Sequence, residues 1–474
     1  MNFNIKNIFF FSLGPLGNAA LGIILVPIIA SYYSPSDVGK YSLFTTIISL
    51  FLMTFSLGLD QYFVRQYHET NKKRKLFYYC LFPGLTLLAL MLVVFSTISF
   101  QLDIVDEIML IIAFSLSCFL SMTNKFIMLI YRMEDKSKLY SFFQLLPKFV
   151  MIIGVFLFIQ GKLEPNFTYL TLVFLISQFL NFCLMLFCSL KQLILQSNDR
   201  FSDTINIKDM MRFGLPLIPS NVAFWALVGS DKLLIKELSS LNELGVYAVA
   251  SSFAGAAAIL QSIFSTVWAP IIYSSIAEKK DLNYLKKANK IILVGIITLF
   301  CFVTFISGLV DYFVPSYYSD VKYIFVTVML YPLLYTLTEA TSIGIGVSKK
   351  TTFGMYATIA AFIVNVVGNL LLIPCLGAKG AAISTAISFY AYFIIRTELS
   401  SIVWERYSGF DFYIFSGVAV MLAILNTLYG QQFSFIVNVA HIIFNIMVIY
   451  YYRDCLNPIL LHVLSLVKIK LTKH

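Results

Sequence analysis

Apolar runs long enough to cross a hydrocarbon slab follow one another along almost the whole chain, and no other feature constrains the fold as tightly. A spanning helix needs about twenty such residues. Fourteen runs meet the requirement, near 8–31, 41–62, 77–100, 107–131, 139–160, 167–190, 212–237, 244–275, 291–311, 322–347, 353–374, 378–396, 411–429 and 433–452. The eighth is long enough to need a tilt or an interfacial extension. Inside lipid each backbone polar group must be satisfied within its own segment, which leaves helices as the reading. Only 12% of residues are charged, about half the usual share, and the mean hydropathy is +0.84. No polar stretch exceeds about twenty residues, which excludes a large soluble catalytic or nucleic-acid-binding domain.

The net charge of +10 is distributed in register with the spans. With both termini in the cytoplasm, 26 of the 34 Lys and Arg fall on that side. The clusters are Lys72 to Lys75, Arg132 with Lys136 and Lys138, five lysines between Lys279 and Lys290, and the tail Lys468, Lys470 and Lys473. The opposite loops hold five (Lys40, Lys162, Lys236, Lys322 and Lys379), and Lys125, Lys148 and Lys232 lie inside spans. Such an excess orients a multi-pass protein and needs no nucleic acid to explain it. The first apolar run runs on to about Ala30 without a small-residue cleavage site and reads as a retained span. The seven cysteines form no CxxC or Cys/His cluster and read as small apolar residues, implying neither disulfides nor a metal site.

The longest loop, about 191–211, separates six spans from eight, and across it the chain repeats. Pro35-Ser36-Asp37-Val38-Gly39-Lys40-Tyr41 follows span one, and Leu241-Asn242-Glu243-Leu244-Gly245-Val246-Tyr247 follows span seven, 206 residues later. Tyr140 and Tyr356 keep nearly the same offset. Six intervening spans give both copies one orientation, a parallel repeat about an axis along the membrane normal, as in many secondary transporters. The expected architecture is therefore an all-α polytopic membrane protein: an N-terminal lobe over 1–198, a C-terminal lobe over 199–400, and two additional helices with a tail over 401–474.

Three segments resemble the bacterial polysaccharide and O-antigen flippases of the multidrug/oligosaccharidyl-lipid/polysaccharide exporter superfamily. One is Arg212-Phe213-Gly214-Leu215-Pro216-Leu217-Ile218-Pro219-Ser220, followed by Ser230-Asp231-Lys232 and Glu243 to Tyr247. Another is Leu372-Ile373-Pro374-Cys375-Leu376-Gly377-Ala378-Lys379-Gly380-Ala381-Ala382, with Asn365 and Asn369 upstream; the third is Gly58-Leu59-Asp60-Gln61-Tyr62-Phe63-Val64-Arg65. The motifs are loose, and their order and spacing carry the likeness over nearly the whole chain. The resemblance implies two six-helix lobes in a V around a central cavity. It also implies a substrate, an undecaprenyl-pyrophosphate-linked oligosaccharide moved from the cytoplasmic to the outer leaflet of the bacterial inner membrane.

An ionisable residue inside a span costs at least ~2.5 kcal/mol and marks a candidate site. Lys148 lies ten residues into span five, ~14 Å from its end, beyond snorkelling reach. It is either a partner for a pyrophosphate in a water-filled cavity or half of a buried ion pair. Lys125 and Arg132 share one face of span four toward its cytoplasmic mouth, where they collect an anionic head group or snorkel to lipid phosphates. Glu339, eight residues from the end of span ten, is a candidate for coupling to an ion gradient or a structural partner of Lys148 or Lys125. Asn221, Trp225, Val228 and Lys232 form one stripe of span seven suited to sugars, with Asp231 offset by ~100°. Asp60, near the end of span two and five residues before Arg65, is a mouth-level partner of that arginine or a second coupling carboxylate. Asn18, Gln144, Gln178 and Asn181 either line the cavity or join helices. Pro15, Pro27, Pro216 and Pro219 weaken two helices that the repeat makes equivalent.

No phosphate-binding glycine loop, HExxH or GxSxG motif is present, and His68, His441, His462 and His474 are scattered. The sequence thus points away from an enzyme and needs no cofactor beyond a coupling ion, H+ or Na+. Expected partners are the lipid-linked oligosaccharide, membrane lipids, and a polymerase and chain-length regulator of the same pathway. Two rivals remain. A multidrug cation antiporter would share the fold but prefers an acidic cavity, whereas three lysines face three acids here. An integral-membrane polymerase would need an outward loop longer than the ten or so residues available.

Overall fold

The computed structural model describes residues 5–70, 72–101, 108–161, 164–194, 206–278, 284–348, 350–406 and 408–457. Among them every regular element is a helix. The chain's internal contacts separate two compact units, Met1–Lys236 with Leu241–Ala248, and Glu237–Ser240 with Val249–His474.

The first unit contains α1 (Ile5–Tyr32), α2 (Pro35–Phe55), α3 (Leu59–Gln66), α4 (Lys73–Gln101), α5 (Ile108–Met133), α6 (Ser137–Gln160), α7 (Phe167–Ile194), α8 (Ile207–Gly214) and α9 (Leu217–Leu238) up to Lys236. It also takes the first two turns of α10 (Leu241–Ala277). Local chemistry sets the boundaries. Ser34 caps α2, its Oγ accepting the Asp37 N–H at 3.2 Å, with Pro35 pre-set for the first turn. The free oxygen of Asp37 accepts the Phe167 N–H, so one carboxylate ties the starts of α2 and α7. The second span ends earlier than hydropathy indicates. Leu57 and Gly58 adopt left-handed φ values of 53° and 66°, which stop α2 and start α3 in a new direction. Pro216 likewise divides the seventh span, leaving α8 as a short amphipathic helix ahead of α9. Phe63, Phe126 and Tyr131 are fully buried at the centre of the core, and the Tyr131 hydroxyl donates to the Met185 carbonyl at 2.9 Å.

The two repeated turns meet inside this unit. A Cβ at Gly39 would collide with the Leu241 carbonyl, and a Cβ at Gly245 with the Pro35 carbonyl. Offset by 206, Leu241 is the counterpart of Pro35 and Gly245 that of Gly39, so the contact is reciprocal. Close approach of two backbones is what requires glycine at both places.

The second unit continues α10 from Val249 and adds α11 (Tyr284–Ile306), α12 (Val321–Val328), α13 (Leu330–Thr341), α14 (Ile343–Val347), α15 (Thr351–Leu376), α16 (Ala378–Val403) and α17 (Phe410–Tyr451). α15 and α16 form a hairpin about Gly377 at φ 55°. Small residues let them approach, and Ser384 donates to the Asn365 carbonyl at 2.9 Å.

Among the described residues, thirteen helices are long and apolar enough to span a membrane. One of them, α17, has 42 residues and would reach ~63 Å, twice the hydrocarbon thickness of about 30 Å. It does not run straight. Phe433 leaves helical geometry at φ −126°, ψ 37°, the Phe415 ring meets Phe444 and Tyr451, and the Tyr452 hydroxyl donates to Asp411. The two halves therefore return on each other as two antiparallel spans, which brings the crossings to the fourteen that the hydropathy gives.

Candidate functional site

The intramembrane charges of the first unit meet two different fates. Lys148 projects from α6 toward α1, where its Nζ donates to the Asn18 carbonyl at 2.5 Å. Gly22 makes the room, since a Cβ there would stand 2.7 Å from Nζ. One turn earlier on α6, Gln144 packs against Gly14, and its Oε1 is buried without a partner. The polar edge of α6 thus lies along a glycine-lined stripe of α1. Among the described residues no acid forms an ion pair with Lys148, which removes the buried-pair alternative for this lysine.

Lys125 is paired. Its Nζ stands 3.0 Å from Asp60 on α3. Asp60 was expected to satisfy Arg65; instead that guanidinium stacks over the Phe213 ring at 5.2 Å. The reason is long-range, because α5 passes beside the start of α3 while Arg65 points off its far end. Arg132, at the last turn of α5, is exposed, whereas Lys125 on the same face is tied to Asp60. Next to Lys125, Asn124 donates to the Gln178 side chain at 3.2 Å and joins α5 to α7.

The α9 stripe is anchored at both ends. Trp225 donates through Nε1 to Ser49 on α2 at 2.8 Å, and its ring packs over Gly229. Asp231 is fully buried and accepts the Tyr247 hydroxyl at 2.7 Å. Asn221 and Lys232 are half-buried on the same helix. Lys148, Lys125 and Lys232 thus occupy three separate settings within the unit.

In the second unit Glu339 accepts a hydrogen bond from Ser265 on α10 and lines a cavity of about 140 Å³ with Trp268, Tyr273, Ser342 and Arg396. Arg396 donates to the Tyr392 hydroxyl, one turn back on α16, and lies over its ring. Hydropathy places the end of the twelfth span at 396 and this arginine in the cytoplasm. The helix in fact runs on to Val403, so Arg396 stands two turns inside it and shares the cavity with Glu339. Ser49 and Ser265, which fix Trp225 and Glu339, carry no signal in a single sequence, and Tyr247, which fixes Asp231, is marked there only as the last residue of the repeated turn.

A polytopic helical chain with polar groups buried at mid-span has the construction of a membrane transporter. The sequence profile described as polysaccharide biosynthesis protein matches residues 5–276. The chain belongs to that family, within the multidrug/oligosaccharidyl-lipid/polysaccharide exporter superfamily. Among solved structures, the lipid II flippase MurJ in an inward closed conformation is 18% identical. It aligns over 94% of this chain and 99% of its own, with a TM-score of 0.69. An inward-facing multidrug resistance transporter of the MATE family is 15% identical, over 85% and 95% of the two chains, with a TM-score of 0.52. These likenesses establish the MurJ- and MATE-like fold. No protein of curated function matches the sequence.

Proposed function

We propose that the protein is a flippase that carries an undecaprenyl-pyrophosphate-linked oligosaccharide from the cytoplasmic to the outer leaflet of a bacterial inner membrane. The observation that carries this reading is Lys148. A lysine ten residues into a span, held by one carbonyl and paired with no acid among the described residues, is an unspent positive charge at membrane depth. A passenger with a diphosphate supplies the missing charge, whereas an organic cation would be repelled. Membership of a polysaccharide-biosynthesis family and a fold like that of a lipid II flippase support the same substrate class. In this reading the lobes are 1–198 and 199–400, followed by two helices, and both termini are cytoplasmic. The glycan crosses between the lobes while its lipid stays in the bilayer. Glu339 and Asp231 are the coupling carboxylates for H+ or Na+, Trp225, Asn221 and Lys232 face sugar, and Lys125 with Arg132 guards the cytoplasmic mouth. A polymerase and a chain-length regulator consume the product.

Loss of the gene is expected to accumulate lipid-linked repeat units inside the cell. Lys148→Ala is expected to reproduce that phenotype at unchanged protein level. Normal export in Lys148→Ala would refute the assignment. Raised drug sensitivity with normal glycan export would instead favour the cation antiporter that the MATE-like fold accommodates.

A further inference from the structure

We infer that a second anion site, selective for phosphoryl groups, lies on the Lys/Arg-rich side of the first unit, at the ends of its second and seventh spans. Two of the three segments that carry the family resemblance converge there. The start of α3 meets the end of α8, where the backbones of Gly58 and Gly214 touch so closely that neither position tolerates a Cβ. From this contact α3 and α8 run side by side, and beside them opens a cavity of about 660 Å³. Its basic lining is Arg65, Lys72 and Arg212, with Asn206, Tyr62 and Phe213 beside them.

Two of the three basic groups in the lining, Arg65 and Arg212, are left to meet an anion. Asp60, five residues before Arg65, is consumed by Lys125, and Glu69, four residues after it, forms no ion pair with it among the described residues. Arg65 is left stacked on Phe213, with its guanidinium edge available. Among the described residues neither Arg65 nor Arg212 forms an ion pair. Glu69 and Asp209 also line the cavity and leave it with one net positive charge. They hold the site below the basicity that would trap a diphosphate permanently, which suits a station that loads and releases. Paired guanidinium groups match the geometry of phosphate oxygens, and Asn206 and Thr70 add neutral donors on the rim. The cavity is open and far larger than a few waters require, at about 30 Å³ each, so a diphosphate enters with its first sugar attached. The inference rests on the transport reading for the source of that diphosphate, not for the existence of the site.

The test uses purified full-length protein. Binding of inorganic pyrophosphate is measured by calorimetry in detergent, and binding of undecaprenyl pyrophosphate in lipid nanodiscs. Wild type is expected to bind pyrophosphate with an affinity that falls as salt rises. Arg65→Gln/Arg212→Gln is expected to weaken it at least tenfold, with an unchanged elution profile to show that the fold is intact. Arg212→Lys should lose only part of the affinity, because the charge stays while the fork is gone. Lys287→Gln, an exposed base of the second unit, should change nothing. Loss of both probes in the double variant assigns a general phosphoryl site, and loss of the lipid probe alone assigns a lipid head-group site. Equal affinity in wild type and double variant, or no binding of either probe to wild type, overturns the inference. Failure of the transport reading would show separately, as normal export in Lys148→Ala, whose side chain does not touch this cavity.

Discussion

The Lys125 ammonium and the Asp60 carboxylate, 65 residues apart in sequence, lie 3.0 Å from each other and join α5 to α3. With 32% and 15% of their side chains exposed, the pair stands between a surface bridge worth about 0.2–1 kcal/mol and a buried one whose rupture costs about 3–5 kcal/mol. Lys125→Met is therefore expected to destabilise the protein by about 2 kcal/mol and lower its melting temperature in detergent by a few degrees. Lys125→Met/Asp60→Asn should recover most of that loss, since no lone charge remains. Additive losses in the double variant would mean that the two residues are not coupled.

Gly22 offers a way to disturb Lys148 without removing its charge. A Cβ at Gly22 would come within 2.7 Å of Nζ, while Gly→Ala in a helix gains about 0.5–1 kcal/mol. Gly22→Ala should leave the protein at least as heat-stable as wild type and yet reduce glycan export, and Gly22→Val should reduce it further. Export assays paired with thermal denaturation separate the two effects. Unimpaired export in Gly22→Val would show that the position of the ammonium is immaterial.

Glu339 and Ser265 form one unit in the 140 Å³ cavity. Glu339→Gln keeps the hydrogen bond and removes the charge, whereas Ser265→Ala keeps the charge and frees the carboxylate. If Glu339 couples transport to an ion gradient, Glu339→Gln abolishes gradient-driven export in vesicles while Ser265→Ala shifts its pH profile. An identical profile for all three proteins would remove Glu339 from the mechanism.

Tyr67, outside the spans, donates to Glu134 at 3.1 Å. Burial first and the Glu134 charge second hold its phenol well above the ordinary value of 10.0. A raised folded pKa means that the neutral form is favoured by folding, so its contribution is complete below pH 10 and lost as pH climbs toward the folded value. Wild type should therefore lose stability above pH 10 more steeply than Tyr67→Phe in parallel melts. Superimposable curves would show that Tyr67 plays no part.

The return of α17 at Phe433 puts Gln432 on the opposite side of the membrane from Asp411 and Arg453. In a background stripped of its seven cysteines, Gln432→Cys is expected to react with an impermeant thiol reagent added outside intact cells. Arg453→Cys should react only after the membrane is opened. The reverse pattern would invert the topology assigned from the basic loops.

Hydropathy alone was sufficient for the crossings, because about twenty apolar residues per span leave little ambiguity and the reversal at Phe433 falls between two of them. Depth singled out Lys148 and Glu339 for the same reason. The partners were not legible. Asp60 reads toward Arg65, five residues on, yet meets Lys125 from another helix, a contact that periodicity does not encode. Arg396 was assigned to a loop because a charged residue lowers the window that defines a span end, although the helix goes on to Val403. The break after Phe55 was hidden for the opposite reason: Leu57 takes its left-handed conformation without any residue-type signal, and only Gly58 beside it hints at a turn.

The mutual contact of Gly39 and Gly245 makes each turn a constraint on the other. Exchange the two turns and the contact maps onto itself, as it does at the axis of a dimer of identical chains. Evolution along this seam is then bilateral: a bulkier residue on either side closes the same gap, so neither turn drifts alone.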